Sequence, residues 1–226
     1  MRHKKSLFLY FLFVSMLGGI VSCNKDDDSL LSGKPVRITC SNSTVVSFSY
    51  QADRLQRITE NASGSTIEFT YEGSELSALL ISPTDPEIAD GNGYSRFERT
   101  GERKIIAESG GDPAGHVFVV KEIELDANLF PVSITETGVY SIGEGGVQTK
   151  IKEGEYSTRY TWDTSAKQLL KEEICCIETG EVVATYAYRY DSAPGVMSRI
   201  DCPIWLHTYR NYGNHSLVFG TYRALF

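Results

Sequence analysis

Five stretches of the chain alternate with a period of two. They are Val46-Ser47-Phe48-Ser49-Tyr50, Ile67-Glu68-Phe69-Thr70-Tyr71, the run from Val117 to Leu125, the run from Tyr156 to Trp162, and Tyr186-Ala187-Tyr188-Arg189-Tyr190. Successive side chains of a strand point to opposite faces, so each run puts large residues on one face and smaller or polar ones on the other. Antiparallel sheets with one wetted face produce this pattern, whereas buried parallel strands read as unbroken apolar runs. The residue usage agrees, with 13 Tyr, 10 Phe and 20 Gly in 226 residues, a balance that suits strands and turns.

The segments after the runs repeat as well. Tyr50 leads into QADRLQRI, Tyr71 into EGSELSAL, Leu125 into DANLFPVSI and Trp162 into DTSAKQLLKEEI. Each is a strand end, a polar turn holding Asp, Gly or Asn, then Leu and a further apolar residue, which is the grammar of a β-hairpin. The segment from Tyr190 through Asp191 to Ile200 reads as a degenerate last copy. Leu55 and Ile58, like Leu76 and Leu79, stand three apart and share no face of a regular strand. A bulge after the turn reconciles them, while a short helix is the competing reading of the same spacing. One hairpin cannot bury its own face, so consecutive copies should pair into a meander. The expected fold is all-β: a single twisted antiparallel sheet of consecutive hairpins, with curling towards an open barrel as a further option. No clear linker interrupts residues 36–226, which are expected to form one domain, with residues 82–97 as its main irregular loop.

The amino end obeys different rules. Residues 1–5 are basic, and residues 6–21 form an almost continuous apolar run that gives way to polar residues. That is the layout of a secretory signal, too short for a comfortable membrane span. Ile20-Val21-Ser22-Cys23 resembles the lipobox of bacterial lipoprotein signals. By that resemblance residues 1–22 are a signal peptide, and Cys23 is the lipid-modified (palmitate-type) end of the mature chain. Several acyl chains on one residue anchor stably where a single chain binds only marginally. Residues 23–35 then form an acidic tether beginning Asn24-Lys25-Asp26-Asp27-Asp28.

Taken together, the lipobox, the Lys-Asp-Asp-Asp tether and the Tyr-(Asp/Glu)-turn-Leu-x-x-apolar grammar resemble a Bacteroidota surface-lipoprotein family of unknown function with YD-type hairpin repeats. The resemblance covers roughly residues 36–200 and implies an outer-membrane protein exposed at the cell surface, with the periplasmic face as the alternative. It brings no activity with it. The insertion around 82–115 and the aromatic tail after Ile200 depart from the repeat. Asp191-Ser192-Ala193 and Asp28-Ser29-Leu30 resemble Bacteroidota O-glycosylation sites.

Charge removes some partners. The formal net charge is −7, and since the first 22 residues hold three cations and no acid, the remainder carries −10. An acidic body without a basic stripe is unsuited to nucleic acid, and to electrostatic attachment to anionic lipid. The membrane is therefore expected to be reached only through the N-terminal lipid.

Chemistry-bearing motifs are few. Cys40, Cys175, Cys176 and Cys202 come after Cys23, and an exported chain meets oxidising conditions. Cys175 and Cys176 point to opposite faces of a strand, so only one of them can bond a given neighbour. A Cys176–Cys202 disulfide is the expected pairing, with Cys175–Cys202 and buried thiols as alternatives. Cys202, His207 and His215 lack the spacing of a structural zinc site, and Asp85, Glu87, Asp90 and Asn92 do not match the order of an EF-hand loop. No metal and no cofactor is expected. There is no Gly-x-Ser-x-Gly elbow, and Gly143-Glu144-Gly145-Gly146 lacks the lysine and helix of a phosphate cradle. In the tail, Trp205, Tyr209 and Tyr212 stand among Arg210, Asn211 and His215, an aromatic and polar mix able to contact a sugar or peptide. The competing reading makes these aromatics a cap on the last strands. The expected function is a non-catalytic binding or scaffold role at the outer membrane, with a glycan or surface protein as partner. Glycan binding or processing is the alternative.

Overall fold

The computed structural model describes residues 34–39, 45–61, 64–82, 93–110, 117–190, 200 and 202–209. Cys23, Cys40, the signal and most of the tether, Asp85, Glu87, Asp90, Asn92, Tyr212 and His215 lie outside these residues. Thirteen strands succeed one another: β1 (Arg37–Thr39), β2 (Val45–Gln51), β3 (Arg54–Glu60), β4 (Thr66–Glu72), β5 (Glu75–Ser82), β6 (Gly93–Gly101), β7 (Lys104–Gly110), β8 (Val117–Leu125), β9 (Pro131–Ile142), β10 (Gln148–Glu153), β11 (Tyr156–Asp163), β12 (Gln168–Cys176) and β13 (Val182–Ala187). They form one antiparallel sheet whose spatial order is the chain order, except that β9 pairs with both β10 and β11. The expected meander is what the chain forms, and the sheet is not closed into a barrel.

The three-residue spacing is resolved by bulges, and the helical reading of it is corrected. Leu55 pairs with Tyr50 while Arg57 pairs with Ser49, so Gln56 is an extra residue and Leu55 and Ile58 return to one face. The same slip sits at Ser77 between Leu76 and Leu79, at Val132 between Pro131 and Ile134, and at Leu170 between Leu169 and Glu172. A bulge adds one residue opposite a regular partner strand and sharpens the local twist. Four hairpins thus carry the same device at the same place after the turn.

The turns are tight. Gln51 pairs with Arg54 across Ala52 and Asp53, whose φ values are 48° and 66°. Elsewhere Asp side chains close the loop. Oδ1 of Asp126 accepts from the amides of Asn128 at 2.8 Å and Phe130 at 2.9 Å. Oδ1 of Asp163 accepts from the Ser165 hydroxyl at 2.6 Å and from the amides of Ser165 and Ala166. Those donors, the Ser165 hydroxyl foremost, hold the Asp163 carboxyl below its usual value.

In three places a polar handle on the strand-end aromatic ties a repeat to the one before. Tyr71 Oη donates to the carbonyl of Leu55 at 3.0 Å, Trp162 Nε1 to that of Pro131 at 2.9 Å, and Tyr190 Oη to that of Leu169 at 2.8 Å. In each case the acceptor is the residue that opens a bulge. Tyr50 begins the series by donating to Pro35 at 2.9 Å. A second tie runs along the turns. Lys34 lies over the Tyr50 ring and bonds the Asp53 carbonyl; Arg54 lies over the Tyr71 ring and bonds the Gly73 carbonyl.

One face of β1 to β9 is apolar and closes on the segment after Ile200. Its core holds Phe48, Leu55, Ile58, Phe69, Leu79, Phe97, Ile123 and Ile134, with Trp205, Leu206 and Tyr209 laid against them. A one-turn 3-10 helix, Ile204–His207, presents Trp205 and Leu206 inward. Trp205 and Tyr209 meet Phe97 edge-on at centroid distances of 4.9 and 5.1 Å, an arrangement that aromatic quadrupoles favour. The Tyr209 hydroxyl bonds Ser95 at 3.1 Å, and burial pushes its pKa up to about 12.

Candidate functional site: a groove beyond the aromatic cap

Among the described residues the buried strand members of the apolar core cluster run from β1 to β9, with Tyr160 of β11 packed against them. The same sheet face continues across β11, β12 and β13. Residues opposite one another on neighbouring strands share a face, and the register places two rows there. Ile134, Thr158, Ile174 and Ala184 form one; Tyr160, Glu172 and Tyr186 form the next. Among the described residues the cap reaches their border at Thr208, whose hydroxyl bonds the Trp205 carbonyl at 2.9 Å. Beyond it lies a hollow of about 460 Å³, lined by Lys121, Ile134, Glu136, Tyr156, Thr158, Tyr160, Ile174, Val183, Tyr186 and Thr208.

Topology opens this hollow at one end. The first part of β9 pairs with β11 and the later part with β10, so the sheet divides between β10 and β11. Gly154 lies in that division, where a Cβ would meet the Glu136 carbonyl oxygen at 1.8 Å; only glycine fits. A second hollow of about 720 Å³ lies past the division, bordered by Lys152, Glu155, Cys176 and Ile177, and it adjoins the first through Glu136 and Tyr156.

The lining combines aromatic faces with a few charged groups. Tyr156 is 44% exposed and Tyr186 47%, unusual values for aromatics on the face that elsewhere forms the core. Lys121 is buried and pairs with Glu136 at 3.8 Å; its Nζ also stands 5.8 Å from the centre of the Tyr209 ring. Glu172 is only 1% exposed, and Oε2 accepts from the Tyr188 hydroxyl at 2.8 Å. Its position after the bulge is the one held by Ile58, Leu79 and Ile134 in the earlier copies. The last hairpin therefore substitutes a carboxyl for the core residue that its predecessors use.

The tail aromatics are placed otherwise than the ligand-contact reading expects. Trp205 is 3% exposed and Tyr209 2%, both in the core, because the rings of Phe97 and the cap offer them more apolar contact than solvent does. They are the cap of the competing reading. The expected Cys176–Cys202 disulfide is not formed: Cys175, Cys176 and Cys202 are all in the thiol form. Cys202 lies on the core side with its Sγ 3.2 Å from Nε2 of His207, while Cys176 ends β12 at the rim of the second hollow. A hydrogen bond from the Thr179 backbone is the main influence holding the Cys176 thiol below its usual pKa. Burial holds His207 down to about 4, so it is neutral near pH 7. Among the described residues no group of three or more His, Cys, Asp and Glu side chains is arranged to hold a metal ion, and no helix is long and apolar enough to cross a membrane.

The groove residues themselves escape sequence reading. Tyr156 and Tyr160 are legible as one face of a strand, yet nothing in their alternation separates a wetted face from a core face. The one usable signal is Leu169-x-x-Glu172, where the repeat grammar calls for a second apolar residue. No family model matches the chain, and no curated protein matches it.

Proposed function

We propose that this chain is an outer-membrane lipoprotein, held through Cys23, whose β-domain is a non-catalytic binding module with the groove as its ligand site. The observation that carries the reading is the pair Tyr156 and Tyr186, two exposed aromatic rings in a hollow on the core face of the sheet. Concave sites with apolar walls and a few polar groups are where small ligands bind. Glu136, engaged with Lys121, is the single carboxyl among the described residues lining the first hollow, where glycoside hydrolysis uses a pair, and this supports binding over hydrolysis. The lipobox-like Cys23, the acidic tether and the family resemblance support the location, the cell surface being the proposed face.

The test uses the full-length chain in a polyoxyethylene detergent, screened against saccharide and peptide panels by thermal shift and calorimetry. Ligands that stabilise the wild type and fail on a Tyr156→Ala/Tyr186→Ala variant of equal melting temperature are the expected result. Turnover of any ligand, binding indifferent to those substitutions, or no binder in either panel overturns the reading. Fractionation tests the anchor separately: Cys23→Ala should leave the membrane pellet, and retention there contradicts lipid attachment.

A further inference from the structure

Resting on that reading of the groove, the geometry points to a neutral oligosaccharide as its ligand. The ring of a pyranose presents a patch of C–H bonds on its flat side, and those polarised hydrogens meet the negative face of an aromatic ring favourably. Tyr160 and Tyr186 stand in one row with Glu172 between them, two strand spacings or roughly 10 Å apart. With Tyr156 on the other side of Thr158, the lining holds three tyrosines at separate places, Tyr156 and Tyr186 exposed and Tyr160 packed against the core. That spread suits successive units of a chain rather than one ring.

The polar groups are those that sugar hydroxyls need. A hydroxyl both donates and accepts, and Lys121 with Glu136, 3.8 Å apart, offers a donor beside an acceptor. The Thr158 hydroxyl, able to donate and accept, lies in the same lining.

Charge selects among saccharides. Among the described residues Lys121 is the cation in the lining, and Glu136 offsets it. In the adjoining hollow, Lys152 pairs with Glu155 and Lys150 with Glu153, each at 2.5 Å, while Glu178 stands beside them. A uronic, sulfated or phosphorylated chain therefore meets carboxylates without a surplus cation, a repulsion that acts as discrimination against it. An extended peptide is disfavoured because strand addition uses a sheet edge, and this floor is a sheet face whose main chain is already paired.

The experiment measures calorimetric affinity of the detergent-solubilised full-length chain for neutral hexasaccharides of glucose, mannose, xylose and galactose, their uronic or sulfated counterparts, and a peptide panel. At least one neutral series should bind, with anionic counterparts at least about tenfold weaker. Tyr186→Ala and Tyr156→Ala should each weaken binding about tenfold, the loss of one aromatic stacking contact. Both residues are exposed, so unchanged melting temperatures serve as the fold control. Ligand should also slow alkylation of Cys176 at the rim, read by mass mapping. Tighter binding of anionic chains, or no neutral binder, overturns the inference. Peptides that bind and depend on Tyr156 and Tyr186, without any saccharide, overturn the sugar assignment while leaving the groove as a site. Binding of any kind that ignores both substitutions removes the groove itself.

Discussion

The hydroxyl of Tyr188 donates to Oε2 of Glu172 at 2.8 Å, pinning a carboxyl at a position where earlier hairpins carry Ile58 and Leu79. A buried polar group is costly when its partner is removed and much less so when both go together. Tyr188→Phe should therefore lower the unfolding free energy by about 1 to 3 kcal/mol. Adding Glu172→Leu should recover most of that loss, restoring the apolar grammar of the earlier repeats. Urea titrations of the two single variants and the double variant check this, and simple additivity contradicts it.

The hydroxyl ties between repeats should be separable from the burial of their rings. Tyr71→Phe and Tyr190→Phe remove only the donor to Leu55 and Leu169. Each should cost about 1 kcal/mol by chemical denaturation, with little change in the slope. Tyr71→Ala should cost several times as much, because the ring's packing against the core is lost as well.

Ala52 sits at φ 48° in a two-residue turn. That conformation presses Cβ against the backbone and is strained for any residue but glycine or, less so, Asn and Asp. Ala52→Gly relieves the strain and adds some unfolded-state entropy, for a net gain of about 0.5 to 1 kcal/mol. A rise in melting temperature of a few degrees is expected. A fall would mean that the methyl group contributes packing.

Acid should weaken the cap through His207. Its pKa in the folded chain is about 4, against 6.5 for an unburied imidazole. The unfolded state thus takes up the proton first. This contribution to stability is intact above pH 6.5 and declines as pH falls towards 4. The full shift corresponds to at most about 3 kcal/mol. Replacing the residue (His207→Gln) should flatten the stability profile between those limits, where the wild type declines. Equal slopes in both proteins would remove His207 as the cause.

Much of the fold is legible from local pattern because the fold is made of local contacts. Alternation marks β2, β4, β8 and β11, while the run over 186–190 overlaps β13 only at Tyr186 and Ala187. The three-residue spacing of Leu55 and Ile58 suits a bulge or a short helix until the pairing register decides for the bulge. Other features depend on what lies across the sheet. The tie from Trp162 to Pro131 needs the register of β9 against β11, which no single strand contains. Trp205 and Tyr209 carry the same residue types whether they meet a ligand or Phe97, and only the return of the chain over the core decides between them. The groove is least legible, since Tyr156 and Tyr186 look like core residues until the extent of the cap is known. Strand β10, exposed throughout, shows neither alternation nor an apolar stripe.

The ties from Tyr71, Trp162 and Tyr190 point one way, from a later aromatic back to an earlier bulge, while those from Lys34 and Arg54 reach forward to a later turn. The hairpins opened by Leu55, Pro131 and Leu169 are therefore each fastened by a residue that comes later in the chain. Trp205 and Tyr209, near the carboxyl end, seat only after every strand beneath them is in place. The sheet can thus be fastened step by step along the chain, and the contacts that seal its core come last in chain order.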